Sequence, residues 1–212
     1  MDRVLYLHGF ASSPDGQKAH AVASQLERRG VAFEAPDLNV PSFAALNFDA
    51  AVDSILRRAE LHPPDVIVGS SLGGLMALET VRRGVRAPLV LIAPAIGIRD
   101  LWISRLPAGD PIVVFNYARN GDAPVHRAFF ERMATVTADD APPETPVSVI
   151  MGRLDESVPF DRVAAVWDRW TRSGGLAAAS RFIEIENGDH GLTGFVPEIV
   201  REIVARLAAL VL

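Results

Sequence analysis

Residues 67–75 read Ile-Val-Gly-Ser-Ser-Leu-Gly-Gly-Leu. An apolar run ends on a glycine, two serines follow, and a glycine pair opens a stretch rich in Leu, Ala and Met. A change from strand-like to helix-like pattern across G-x-S-x-G is the signature of a nucleophile elbow, a sharp turn that exposes a serine hydroxyl. Glycines two before and two after the serine answer a steric need, because side chains there would strike the adjoining strand and helix. Ser71 has Gly69 and Gly73 at that spacing, whereas Ser70 meets Val68 and Leu72. The candidate nucleophile is Ser71. A bare G-x-S-x-G also arises as a structural or phosphate-binding turn, so the rest of the chain has to decide. A Walker-type Gly-Lys-Ser/Thr and a dinucleotide G-x-G-x-x-G are both missing.

On either side, short apolar runs alternate with longer amphipathic segments. Val4–His8, Ala32–Pro36, Val66–Gly69, Leu89–Ala93, Val147–Met151 and Phe182–Glu186 read as strands, mostly continuous apolar runs suited to parallel strands covered on both faces. Gln17–Arg29, Phe48–Leu61, Leu72–Arg83, Phe160–Arg172 and Val196–Leu210 read as helices. Arg28-Arg29 before Gly30 and Arg82-Arg83 before Gly84 mark two helix ends, with cations at the dipole's negative end and glycine for the left-handed cap. The alternation predicts right-handed βαβ units and a doubly wound α/β sheet of about six parallel strands.

One stretch interrupts this rhythm. Residues 95–145 hold Trp102, Phe115, Tyr117, Phe129 and Phe130, several prolines, and a short apolar run at Ile112–Phe115. So long a connection without structure of its own is uncommon in a compact domain. It is expected to form a small helical cap over one end of the sheet, with residues 142–146 as the return linker; its aromatics, Trp102 and Phe129 among them, either line an acyl pocket or make up the cap's own small core. The organisation expected is one domain over residues 1–212 with 95–145 as a cap insertion.

Bulk properties narrow the function classes. The chain has 212 residues, 49% of them hydrophobic and 22% charged, an ordinary globular composition. A formal charge of -5 and a pI of about 5.5 lack the basic excess of a nucleic-acid binder. There is no cysteine, which removes disulfides, thiolate metal sites and a cysteine nucleophile. No apolar stretch approaches the roughly 18 residues of a membrane span. Val4–Leu7 is too short for the apolar region of a secretion signal. A cytoplasmic protein without nucleic-acid or membrane partners is expected. The apolar end Ile203–Leu212 covers the sheet or packs a homodimer, which leaves monomer and homodimer both open.

A serine hydroxyl needs a base, usually histidine. His20 and His62 fall on or beside helices, His126 in the expected cap, and His8 in the loop after the first strand, where a loop-holding role suits it. His190 lies in Asn187-Gly188-Asp189-His190-Gly191, after the last strand. That is the carboxyl edge of the sheet, where the elbow emerges and where open α/β sheets build their sites. The third member should be a carboxylate that orients the imidazole, and beside such elbows it precedes the histidine in the chain. Asp155, just beyond Val147–Met151, is the candidate, with Glu156 and Asp161 as rivals. Asp161 suits a cap for the helix near Phe160, and Asp189 adjoins the base too closely in sequence. The oxyanion would be held by the N–H groups of Leu72, which follows the nucleophile, and of Phe10, in the loop Leu7-His8-Gly9-Phe10.

Leu5-Tyr6-Leu7-His8-Gly9-Phe10, with Ser12-Ser13-Pro14, Lys18-Ala19 and Gly69-Ser70-Ser71-Leu72-Gly73-Gly74, resembles the small bacterial YqiA-like esterases of the α/β-hydrolase superfamily. The closer resemblance rests on the first 85 residues, and that to the superfamily runs to His190. It implies an α/β-hydrolase fold with strand order 2-1-3-4-5-6, a triad of Ser71, Asp155 and His190, and an oxyanion hole of Phe10 and Leu72. It also implies esterase or thioesterase activity; the aromatic cap and the apolar turn point to a small apolar acyl or aromatic substrate, and the serine mechanism calls for no cofactor and no metal. A same-fold C–C hydrolase, lyase or perhydrolase would keep the same residues, and a non-catalytic binding protein is the other alternative.

Overall fold

The apolar runs become strands. In the computed structural model, which describes residues 1–104 and 106–210, six of them form one parallel sheet. They are β1 (Arg3–Leu7), β2 (Ala32–Glu34), β3 (Val66–Ser70), β4 (Leu89–Ile92), β7 (Val147–Gly152) and β8 (Arg181–Ile185), in the order β2-β1-β3-β4-β7-β8. Counting the strands of this sheet alone, that is the expected 2-1-3-4-5-6, and the chain has the α/β-hydrolase fold. Arg105, within the expected cap, and Val211 and Leu212, which end the apolar C-terminal stretch, lie outside the described residues.

The helices are α1 (Gln17–Glu27), α2 (Phe48–Leu61), α3 (Leu72–Arg82), α6 (Phe160–Ser173) and α7 (Val196–Ala208). Every residue of β3, β4 and β7 is buried, so the centre of the sheet is covered on both faces. Helix α3 lies on β3 and β4 and against α2, while α7 lies on the same two strands and against α1. This sandwiching explains why the central strands read as unbroken apolar runs. Each buried Val, Leu or Ile side chain contributes roughly 1.5–3 kcal/mol by leaving water. Two polar side chains stand among them, Ser70 of β3 and Ser148 of β7. Ser148 of β7 accepts from the Arg206 Nε at 2.7 Å and donates to Glu202 Oε1 at 2.5 Å, so α7 is tied to the sheet through satisfied bonds.

Register sets up the site. Leu7 of β1 pairs with Gly69 of β3, and Ser70 pairs with Ile92 of β4, so the turns after these strands leave side by side. Those after β7 and β8 join them, because Gly152 pairs with Ile185. Among the described residues no helix is long and apolar enough to cross a membrane.

The stretch between β4 and β7 differs from the helical cap expected. It carries α4 (Leu101–Ser104) and α5 (Arg127–Met133), but between them an antiparallel hairpin of β5 (Ile112–Asn116) and β6 (Gly121–Val125). The run Ile112–Phe115 is its first strand. The second, Gly-Asp-Ala-Pro-Val, has poor strand propensity and includes a proline, so only its pairing with β5 makes it a strand.

Candidate active site

Ser71 stands at φ 53° and ψ -117°, a backbone state that a residue with a side chain keeps only when its surroundings hold it. The hold is visible. Its N–H donates to the Ile92 carbonyl at 2.9 Å, and its carbonyl accepts from Gly74 and Ala95 at 2.9 and 3.0 Å. The elbow glycines are sterically required: a Cβ on Gly69 would lie 2.5 Å from the Gly73 oxygen, and one on Gly73 would lie 2.1 Å from the Leu7 oxygen. Packing of α3 onto β1 and β3 therefore forces the serine out at the tip of the turn.

Asp155 sits in the loop after β7 and is buried. Its Oδ1 accepts the N–H groups of Ser157 and Val158 at 2.9 and 2.8 Å, which fixes the carboxylate and leaves Oδ2 for one partner. That partner is His190, whose Nδ1 lies 2.7 Å from Asp155 Oδ2. On the other side of the ring, Nε2 lies 3.1 Å from Ser71 Oγ. With the Nδ1 proton donated to the carboxylate, Nε2 faces the serine hydroxyl as an acceptor. The three residues singled out from sequence are thus brought into one hydrogen-bonded file.

Backbone contact between the β7 and β8 turns makes this possible. The Arg153 N–H donates to the Ile185 carbonyl at 3.0 Å and the Leu154 N–H to that of Gly188 at 2.9 Å. A Cβ on Gly152 would lie 2.2 Å from the Gly188 oxygen, so the two turns close only on glycine. The rival acids point elsewhere. Glu156 is exposed, and Asp189 Oδ1 accepts the Leu192 N–H at 2.8 Å. Asp161, expected to cap α6, instead lies exposed in its first turn, where it complements the dipole without a capping bond.

Leu72 is the first residue of α3, where an N–H has no intrahelical acceptor. Phe10 follows Gly9 in the loop after β1, and that loop is pinned by His8. The His8 Nδ1 donates to the Gly9 carbonyl at 2.9 Å, and Nε2 accepts the Leu38 N–H at 3.0 Å. Burial lowers the His8 pKa, in keeping with a neutral ring. It is a loop anchor.

These groups open onto a cavity of about 670 Å³ whose lining includes Ser71, His190, Phe10, Trp102, Phe115 and Tyr117. Trp102 faces the cavity. Phe129 does not: it is 2% exposed and stacks behind Phe10 at 5.5 Å, part of an aromatic cluster with Phe43 and Phe130. The hairpin is tied to the loop after β1, since the Tyr117 N–H donates to the Ala11 carbonyl at 2.9 Å. Two neighbours were given no role by the sequence. Lys18, at the start of α1, donates from Nζ to Ser70 Oγ at 2.9 Å, and Tyr6 lines the same cavity. Lysine periodicity on a surface helix carries no sign of this, because Lys18 lies one turn from the chain reversal that buries it.

A family model described as an uncharacterised protein family, UPF0227, matches residues 3–206. No curated protein matches the chain. Among solved structures, Est1E from Butyrivibrio proteoclasticus with ferulic acid bound is 19% identical, with a TM-score of 0.78 over 99% of this chain and 90% of that one. Alpha/beta hydrolase domain-containing protein 10 from mouse is 21% identical, with a TM-score of 0.78 over 98% and 90% of the two chains. The monoacylglycerol lipase of Paleococcus ferrophilus is 15% identical, with a TM-score of 0.72 over 98% and 94%. At these identities the likeness is one of fold, and it agrees with the resemblance carried by the first strand, its loop and the elbow.

Proposed function

This chain belongs to the UPF0227 family, and we propose that it is a serine hydrolase that cleaves a carboxylic ester or thioester through an acyl-enzyme. The observation that carries the proposal is the continuous file Asp155–His190–Ser71, at 2.7 and 3.1 Å, ending at the cavity wall. Ser71 Oγ attacks the carbonyl carbon while its proton passes to His190 Nε2. The N–H groups of Phe10 and Leu72 receive the oxyanion, and one such donor is worth about 3 kcal/mol in the transition state. Collapse breaks the C–O or C–S bond, and His190 returns its proton to the departing alkoxide or thiolate. Water then attacks the acyl group, gives its proton to His190, and Ser71 is released. Asp155 holds the imidazole in the required tautomer and stabilises its charged form. Phe10, Trp102 and Phe115 in the wall favour an apolar acyl or aromatic group on the substrate. The reaction is read as that of a free small-molecule substrate acted on in the cytoplasm by a single domain, with residues 95–145 as the cap over the elbow.

A fluorophosphonate probe tests this directly. Stoichiometric labelling of Ser71 with loss of p-nitrophenyl ester cleavage is expected. Labelling at Ser70, or undiminished cleavage by Ser71→Ala, would overturn the proposal. An ester panel run beside lyase and haloperoxidase assays separates it from other chemistries on the same fold.

A further inference from the structure

We infer that Lys18 is a specificity-determining residue that binds an anionic oxygen group of the substrate beside the nucleophile. The inference rests on the hydrolase reading and names the substrate class for that site.

Lys18 is partly buried in the wall of the cavity that holds Ser71 and His190. Its Nζ donates to Ser70 Oγ, a neutral acceptor, and it forms no ion pair among the described residues. An ammonium has three donors, and one hydroxyl occupies one of them. The two carboxylates close enough to act on it through space are Asp155 and Asp189. Both are engaged elsewhere: Asp155 by His190, Ser157 and Val158, and Asp189 by the Leu192 N–H. Among the described residues no Asp or Glu lines the cavity, and Lys18 is the one Lys or Arg that does. The wall thus carries a fixed positive charge without a counter-charge inside the pocket.

Such an arrangement is costly in an empty pocket. Burial pulls the Lys18 pKa down to about 8, so the group still carries its charge near neutrality but gains from a partner. The first turn of α1 faces the same cavity through Gly16, Gln17 and Lys18, with no capping side chain and no acidic residue. Its free N–H groups add to the positive potential there. Ser12 and Ser13 bring hydroxyl donors to the same wall. Ser70 is the neighbour of Ser71, and successive Cα atoms stand about 3.8 Å apart. An anion held by Lys18 therefore lies within a few bonds of the scissile carbonyl. The chemistry fits a half-ester of a dicarboxylic acid, or an ester whose alcohol part bears a carboxylate or phosphate.

The test compares matched substrates. For the acyl side, p-nitrophenyl hemiglutarate is set against p-nitrophenyl valerate. For the alcohol side, acetyl esters of 4-hydroxybenzoate and of its methyl ester are compared. In one of the two pairs the wild-type kcat/KM is expected to favour the anion by about tenfold to a hundredfold, in line with a charge-assisted hydrogen bond. In Lys18→Met that ratio should fall to about one, mainly through KM, and Lys18→Arg should restore part of it. A ratio near one in the wild type for both pairs overturns the inference, as does a ratio that survives Lys18→Met. If Lys18→Met does not fold, Lys18→Gln takes its place. A binding arm on Ser71→Ala needs no turnover: monomethyl glutarate should raise Tm more than methyl valerate does, and Lys18→Met should erase the difference. Absence of ester cleavage and of Ser71 labelling would fail the hydrolase reading alone, whereas equal Tm shifts would fail the Lys18 inference alone.

Discussion

The carboxyl edge of the sheet and the stretch of residues 95–145 face the same cavity, yet they are built differently. At the edge, the turns after β3 and β7 rest on wholly buried strands, and backbone hydrogen bonds tie the turn after β7 to the end of β8 and the turn beyond it. In the stretch above, β5 exposes Val113 and Phe115, and the hairpin turn exposes Tyr117. Its ties to the body are side chains and single backbone bonds. Arg132 Nε meets Asp49 of α2 at 2.7 Å, the His126 N–H reaches the Ala44 carbonyl, and Trp170 Nε1 of α6 donates to the Asp139 carbonyl at 3.0 Å. Geometry that must hold to a few tenths of an ångström sits on the part that cannot shift, and the wall that meets variable groups sits on the part with fewer restraints.

That contrast can be broken most sharply at the edge. Ser71→Ala should reduce kcat by about 10⁶-fold, the scale found when a triad serine is removed. Circular dichroism should show an unchanged fold, since the elbow bonds are made by backbone. An active Ser71→Ala would mean that the edge holds no nucleophile. Asp155→Asn comes next, at about 10⁴-fold in kcat: the amide oxygen must keep accepting the Ser157 and Val158 N–H groups, which turns the NH2 donor toward Nδ1 and favours the wrong tautomer. If Glu156→Gln were the damaging change instead, the file of bonds seen here would not be the working one.

In the stretch above, two aromatic truncations should separate. Trp102→Ala opens the cavity wall and should weaken kcat/KM for octanoyl over acetyl esters by ~1–3 kcal/mol. Phe129→Ala removes a buried ring behind Phe10 and should cost about 3–5 kcal/mol of stability, with activity lost evenly across chain lengths. Melting curves beside an acetate-to-octanoate series tell the two apart, and identical profiles would erase the distinction between wall and support.

The smallest effect concerns pH. The Lys18 pKa is lowered from 10.5 to about 8, chiefly by burial, so the unfolded chain holds more protons than the native one between those values. Stability conferred by Lys18 should therefore rise with pH from about 8 to 10.5, after its lowest level below 8. Burial also raises the Tyr6 pKa, which acts against stability above pH 10. The difference in Tm between wild type and Lys18→Met isolates the lysine, and it should move in favour of the wild type across that window. A constant difference would show that the ammonium is well solvated.

Much of this was legible beforehand because it depends on short-range pattern. Unbroken apolar runs mark strands covered on both faces, and Gly69-Ser70-Ser71-Leu72-Gly73 marks a turn that no other residues could make. Loop positions after strands then pointed to Asp155 and His190, since parallel strands bring all such loops to one edge. Helix-end arginines were legible only in part. Gly30 and Gly84 do adopt positive φ, but Arg82 and Arg83 also grip the buried Glu79, and Arg83 reaches Asp49 and Asp53 of α2.

The sequence by itself determined the order of elements, the identity of the elbow serine and the loops that meet it, because each follows from local sterics and periodicity. Tertiary structure alone decided which partner each side chain met. Gly-Asp-Ala-Pro-Val became a strand because β5 lay beside it. Phe129 turned inward because Phe10 offered a stacking face 5.5 Å away, while Trp102 kept a face on the cavity. Lys18 acquired its place beside Ser71 because its side chain reaches from the first turn of α1 to Ser70 at the end of β3, and no described carboxylate in that wall was left to pair with it. The contacts of Lys18 and Phe129 join residues 52 or more positions apart, and a linear pattern carries no record of them.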